Sequence, residues 1–182
     1  MIIKKKQKGF SLLELLLVLG IIAALVVGAF IVYPKVRASQ QVELEAKNIS
    51  TISAGIRSLY TGKSNFEGLT DSVALGAKIF PDNLIVGTGT SASLVNSFKG
   101  TVAVSSDGET HSGEDDSGFF IKYTRLMPNV CSKLVSAVAS SFYEINVNGT
   151  YVKEDGGSVD MLKLTTACSI TGSGNYALFY AE

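Results

Sequence analysis

From Leu15 to Tyr33 the chain runs through 19 residues without a charge. At about 1.5 Å per residue this run would span roughly 28 Å as a helix, close to the ~30 Å hydrocarbon core of a bilayer. Whatever the other residues build must therefore accommodate a segment that is apolar on every side. Lys4, Lys5, Lys6 and Lys8 precede it, against Lys35 and Arg37 after it. The positive-inside bias then keeps the N-terminus in the cytoplasm and sends the rest across. The chain carries 16 basic and 16 acidic residues overall, so its balance leaves no general nucleic-acid footprint. Without residues 1–9, which hold four of the lysines and no acid, twelve basic residues face sixteen acidic ones. A basic head thus precedes a mildly acidic body.

Two plain readings share these features. One is a cleaved secretory signal with Val27-Gly28-Ala29 as its small-residue site, leaving a soluble binding protein. The other is a simple signal anchor. Against both stands Glu14, the one charge between Phe10 and Tyr33. An ionised carboxylate in a membrane helix costs about 2.5–3.5 kcal/mol at mid-bilayer and less near the interface, and it usually implies a partner. No Lys or Arg lies one helical turn away, so the partner must come from another molecule or from an α-amino group made by cleavage.

The residues around Glu14 carry a resemblance. Lys8-Gly9-Phe10-Ser11-Leu12-Leu13-Glu14, followed by the apolar run, resembles the class III signal of type IV pilins and pseudopilins. The resemblance implies that a prepilin peptidase cuts between Gly9 and Phe10 and methylates Phe10. Glu14 would then be the fifth mature residue, placed to neutralise the Phe10 ammonium of a neighbouring subunit. Two charges ~4 Å apart interact by several kcal/mol at an effective dielectric near 20, so the pair would select register. It also implies an inner-membrane precursor and then an extracellular filament of identical subunits. The partners would be the peptidase/methyltransferase, an inner-membrane platform and a separate assembly ATPase. No enzymatic activity or cofactor is expected of the chain. A type II secretion pseudopilin is the alternative. DNA transfer is among the uses such pili have, without a nucleic-acid motif here.

Beyond the membrane run, Val42, Ala46, Ile49, Ile52, Ile56 and Leu59 form one helical stripe. Glu43, Glu45, Lys47, Asn48 and Arg57 are expected on the opposite, polar face. Pro34 should kink or loosen the helix, and Gly62 should stop it. A helix from about Phe10 to Thr61 would be roughly 78 Å long. Residues 63–117 read as surface loops with small elements and one strand near 100–105. Phe119–Tyr123 reads as a strand, and 129–142 as a short helix with Val130, Leu134, Ala137 and Val138 inward and Asn129 as its cap. Tyr143–Val147 and Thr150–Lys153 flank Asn148-Gly149, which predicts a type I′ hairpin. Met161–Thr165 and Tyr176–Ala181 read as the last strands. The expected fold is α+β, an antiparallel sheet on the amphipathic half of a long helix. Its expected parts are a leader at 1–9, a membrane and filament-core segment at 10–33, and a head at 34–182.

Cys131 and Cys168 follow the membrane run and so reach an oxidising compartment, where a disulfide is the default for a lone pair. The pair would bracket a distal region, 131–168, resembling the surface-displayed D-region of pilins. Met127-Pro128-Asn129-Val130-Cys131, Asn96-Ser97-Phe98-Lys99-Gly100 and the wide cysteine spacing resemble the larger type IVb pilins, including those of thin conjugative pili. The nine-residue leader and Phe10 are more like type IVa. Other signals are weaker. Gly62-Lys63-Ser64 lacks the upstream glycine and strand of a phosphate loop. Glu109, Glu114, Asp115 and Asp116 lack the spacing of a calcium loop, and His111 sits among them. No metal site is expected.

Overall fold

The computed structural model describes residue 9 and residues 11–88, 92–107 and 116–182. The expected leader, Phe10, His111 and the carboxylates Glu109, Glu114 and Asp115 lie outside the described residues. The chain divides into two compact units, one ending at Ser39 and one running from Gln40 to Glu182.

The first helix, α1, spans Leu12–Leu59 and 48 residues. Its backbone stays helical through Pro34, so the kink or loosening expected there does not end the element. Proline removes one intrahelical hydrogen bond, and the turns on both sides carry the helix across. Gly62 lies three residues past the end with φ +91°, a conformation open to glycine at low cost.

In the second unit, a five-stranded antiparallel sheet has the order β3-β4-β7-β5-β6. Its strands are β3 Val102–Asp107, β4 Gly118–Leu126, β5 Glu144–Val147, β6 Thr150–Lys153 and β7 Asn175–Ala181. Alternation decides the faces. Phe119, Ile121 and Tyr123 of β4, and Ala177, Phe179 and Ala181 of β7, are buried. Ile121 is paired with Phe179 and Val104, and Phe179 with Ile145. A register shift between Tyr123 and Leu126, with Arg125 at φ 60°, resets the alternation so that Leu126 points inward. Ile49, Ile52 and Ile56 of α1 are fully buried in the same core. Each such side chain contributes about 1.5–3 kcal/mol of burial. The observed class is α+β, with an antiparallel sheet and a long N-terminal helix.

Several expectations need correction. Glu45 and Asn48, assigned to the polar face of α1, are buried, whereas Leu59 is exposed and Tyr60 is buried in its place. The small elements expected in residues 63–117 are present, as a short helix, α2 Asp71–Gly76, whose N-cap is Thr70, and a two-stranded ribbon of β1 Ile85–Val86 and β2 Ser93–Leu94. The helix α3 spans Pro128–Val138 with Met127 at its N-cap, because Pro128 occupies the first turn. Asn129 therefore does not cap it, and Cys131 and Val135 turn inward while Ala137 is exposed. Met161–Thr165 is helical. In α4, Met161–Ala167, the Asp160 carboxylate accepts from Leu162 N at 2.9 Å and Lys163 N at 3.0 Å. That cap satisfies two orphan donors and overrides the strand-like alternation of the segment. The Asn-Gly hairpin forms as expected, with Asn148 at φ 52° and Gly149 at φ 85°.

Candidate functional site

The N-terminal half of α1 is the first functional element. Leu12–Phe30 is 19 residues long and apolar enough to cross a membrane, with none of that window buried. Leu12 is 76% exposed and Phe30 77%. Hydrocarbon so uncovered requires lipid or other protein around it. Gly9 and Ser11 precede the helix, and Ser11 supplies the first carbonyl, accepting from Leu15 N at 3.1 Å. Glu14 lies in the first turn and is exposed. A carboxylate there faces the positive end of the helix dipole, worth about 0.3–1 kcal/mol. Among the described residues no cation pairs with it. Phe10, the expected partner group, is outside the described residues.

The second element is the distal region of the head. Cys131 in α3 and Cys168, the C-cap of α4, are joined by a disulfide with a Cα–Cα distance of 5.8 Å. Both are buried. Within the loop they close, Lys153 is buried and donates to the carbonyls of Ala139 at 2.7 Å and Phe142 at 2.6 Å, just beyond the end of α3. A cation suits those orphan acceptors. Asn148 donates to the carbonyl of Ala167 at 2.7 Å and to Asn175 Oδ1 at 2.8 Å, and accepts from Tyr176 N. Asn175 in turn donates to the carbonyls of Leu126 and Ile170. These amides tie the hairpin turn to α4 and β7.

Sequence reasoning missed the third element. Glu45 is fully buried on α1 and accepts four hydrogen bonds. Ser97 N donates at 2.6 Å, Ser97 Oγ at 2.5 Å, Asn48 Nδ2 at 3.0 Å and the Tyr123 hydroxyl at 3.1 Å. The Asn96–Gly100 turn is itself shaped by Asn96, whose Oδ1 accepts from Phe98 N and Gly100 N. A Cβ on Gly100 would stand 1.9 Å from the Thr124 carbonyl oxygen, so glycine is required there. Burial and the nearby Glu45 carboxylate push the Tyr123 hydroxyl well above its ordinary pKa. A signal existed. Positions 42, 45, 49, 52 and 56 recur at steps of three and four, so Glu45 stands on the apolar stripe itself.

Other sequence signals do not converge into a site. Asp116 is described, and among the described residues no group of three or more acidic, His or Cys side chains is arranged to hold a metal ion. The Lys63 ammonium sits 5.4 Å from the centre of the Tyr60 ring rather than in a phosphate loop.

Both the N-terminal segment and the head are similar to known proteins. The family described as PilS N terminal matches residues 39–179, and the prokaryotic N-terminal methylation motif matches residues 4–30. The major structural subunit of the bundle-forming pilus from Escherichia coli O127:H6 is 24% identical, over 98% of this chain and 96% of its own. The subunit of the same description from Escherichia coli O111:H- is also 24% identical, with the same coverage. Two crystal structures share the fold at a TM-score of 0.57. A type IVb pilin from Salmonella typhi is 20% identical, covering 75% of this chain and 97% of its own. TcpA, a type IV pilin from Vibrio cholerae El Tor, is 15% identical, covering 79% and 99%. The two Escherichia coli relatives are described as structural subunits, in agreement with the expectation of a non-catalytic chain, and the comparisons do not favour a secretion pseudopilin. With the family match extending over well more than half of its length, the chain belongs to the PilS N terminal family, and the methylation motif, the pilus-subunit relatives and the pilin structures together make it a type IV pilin.

Proposed function

We propose that the chain is a prepilin, cut between Gly9 and Phe10 and methylated at Phe10, whose mature form is the major subunit of a type IV pilus. The observation that carries this reading is a coincidence of position. The methylation motif at residues 4–30 overlays the exposed, membrane-length helix Leu12–Phe30 that carries Glu14 in its first turn. The major-subunit role is supported by the bundle-forming pilus relatives, matched over nearly the full length of both chains. Before assembly the apolar segment holds the subunit in the inner membrane, with Lys4 to Lys8 on the cytoplasmic side and the head outside. A peptidase/methyltransferase exposes the Phe10 ammonium. An inner-membrane platform and its ATPase then move the subunit into the filament. There the Phe10 ammonium of one subunit neutralises Glu14 of another, removing the cost of a carboxylate in an apolar core.

Intact mass and N-terminal peptide mapping of protein sheared from cells test the processing. The expected chain begins at Phe10 and carries one added methyl group. A chain beginning at Phe30 would mean ordinary signal-peptidase cleavage and would overturn the filament reading.

A further inference from the structure

Asn148-Gly149 is the one asparagine–glycine step in the sequence. In a mobile chain this pairing is chemically unstable. Glycine has no side chain to shield its backbone nitrogen and its backbone turns freely, so that nitrogen can reach the asparagine side chain. The Gly149 nitrogen gives up its proton and bonds to Asn148 Cγ, the Cγ–Nδ2 bond breaks, and ammonia leaves. Water then opens the five-membered imide at one of its two carbonyls, which leaves aspartate or isoaspartate at the position. Solvent water is the only co-reactant.

The folded head occupies every group that this step must move. Gly149 N donates to Asn146 Oδ1 at 2.9 Å. Asn148 Nδ2 donates to the Ala167 carbonyl at 2.7 Å and to Asn175 Oδ1 at 2.8 Å, while Asn148 Oδ1 accepts from Tyr176 N at 2.9 Å. Asn148 N donates to the Tyr176 carbonyl at 3.2 Å, so the backbone is held as well. Turning the amide towards Gly149 N would break three side-chain hydrogen bonds together and leave their partners unsatisfied. Asn175 cannot compensate by turning its own amide, because its Nδ2 is engaged by the carbonyls of Leu126 and Ile170. The site lies within the loop closed by Cys131 and Cys168, and Ala167 adjoins Cys168.

We propose that Asn148 is a deamidation site that the fold keeps closed, and that the reaction, once unfolding opens it, bars the chain from refolding. Each product meets an obstacle. Aspartate has no N–H to give to the Ala167 carbonyl or to Asn175 Oδ1, and it sets a carboxylate against both oxygens. Isoaspartate adds a backbone carbon to the turn between β5 and β6, where loop length fixes the register of the pair.

The test uses the full chain in detergent micelles at mildly alkaline pH, disulfide intact, with and without enough urea to unfold the head. Digestion at acid pH then yields the peptide that holds both Asn146 and Asn148, and mass spectrometric sequencing locates each conversion. Deamidation at Asn148 is expected in urea and should be at least about a hundredfold slower without it, because only the rare opened form reacts. Asn146, followed by the bulky Val147, is the internal control and should stay intact in both. Equal rates at Asn148 with and without urea, or no conversion in urea, would overturn the closed site. Urea is next removed after partial conversion, and chains that regain protease resistance are separated from those that do not. The resistant fraction is expected to keep Asn148 and the sensitive fraction to carry the products. The same proportion in both would overturn the block on refolding. Asn148→Asp, made directly, should unfold at lower urea than wild type, and an unchanged midpoint would overturn that same half of the proposal.

Discussion

Glu45 sets the terms at the residue scale. Its carboxylate is fully buried, and four donors from α1, the Asn96–Gly100 turn and β4 converge on it. A buried charge is tolerated only when its oxygens are satisfied. Hydrogen bonds to a charged group contribute about 1.5–3 kcal/mol each, and orphaned donors cost about 1–3 kcal/mol. Glu45→Ala is therefore expected to destabilise the head by about 3 kcal/mol or more, since it strands Ser97 N and the Tyr123 hydroxyl. Glu45→Gln keeps the volume and one carbonyl oxygen, so it should cost roughly half as much. Denaturant unfolding of the two variants checks the order. Equal stability of Glu45→Ala and wild type would mean that the network contributes nothing. The same site shows where pattern reading erred. Glu45 stands on the apolar stripe by spacing, but a carboxylate is assigned to the solvent face until a set of donors is seen to surround it.

Among the elements, the distal helices depend on caps and a cross-link more than on length. α3 has 11 residues and α4 has seven, too short to be stable alone. Pro128, the Asp160 cap and Lys153 at the end of α3 supply what helical propensity does not. The disulfide then joins the two helices across a sequence separation of 37. In the loop-entropy account a loop of that size contributes about 4 kcal/mol. Cys131→Ser paired with Cys168→Ser should lower the unfolding free energy by about 2–5 kcal/mol. Proteolysis should then begin within 131–168 rather than in β4 or β7. Cleavage first in the central strands would contradict that order. The Asn-Gly hairpin was legible from two residues because its turn geometry is local. α4 was not, because Met161-Leu162-Lys163-Leu164-Thr165 alternates like a strand and only the Asp160 cap shows its state.

On the scale of the whole molecule, the head responds to alkali as one unit because its tyrosines are built into core and sheet. Burial and Glu45 raise the Tyr123 pKa well above 10. Burial, then the charges of Tyr151, Asp107 and Glu144, push Tyr180 up to about 12. Both groups hold their protons more tightly folded than unfolded. Their stabilising contribution is complete below the unfolded value of about 10 and is lost as pH rises through the folded value. Thermal stability should thus be flat up to about pH 10 and fall towards pH 12, with Tyr123→Phe showing a shallower decline from a lower starting point. Melting curves across that range decide it, and an unchanged slope in Tyr123→Phe would remove Tyr123 from the cause.

The sequence alone determined the membrane-length helix, the Glu14 signature, the α+β class and the hairpin. Each depends on composition, spacing or a turn within a few residues, where periodicity and backbone conformation act without help from distant groups. Tertiary structure decided the buried carboxylate, the strand-like segment that became α4, and which strands stand at the sheet edges. Those outcomes follow from which residues meet across the core. A donor set for Glu45 spans 78 positions from α1 to Tyr123, and the sheet order β3-β4-β7-β5-β6 sets which elements end at its edges.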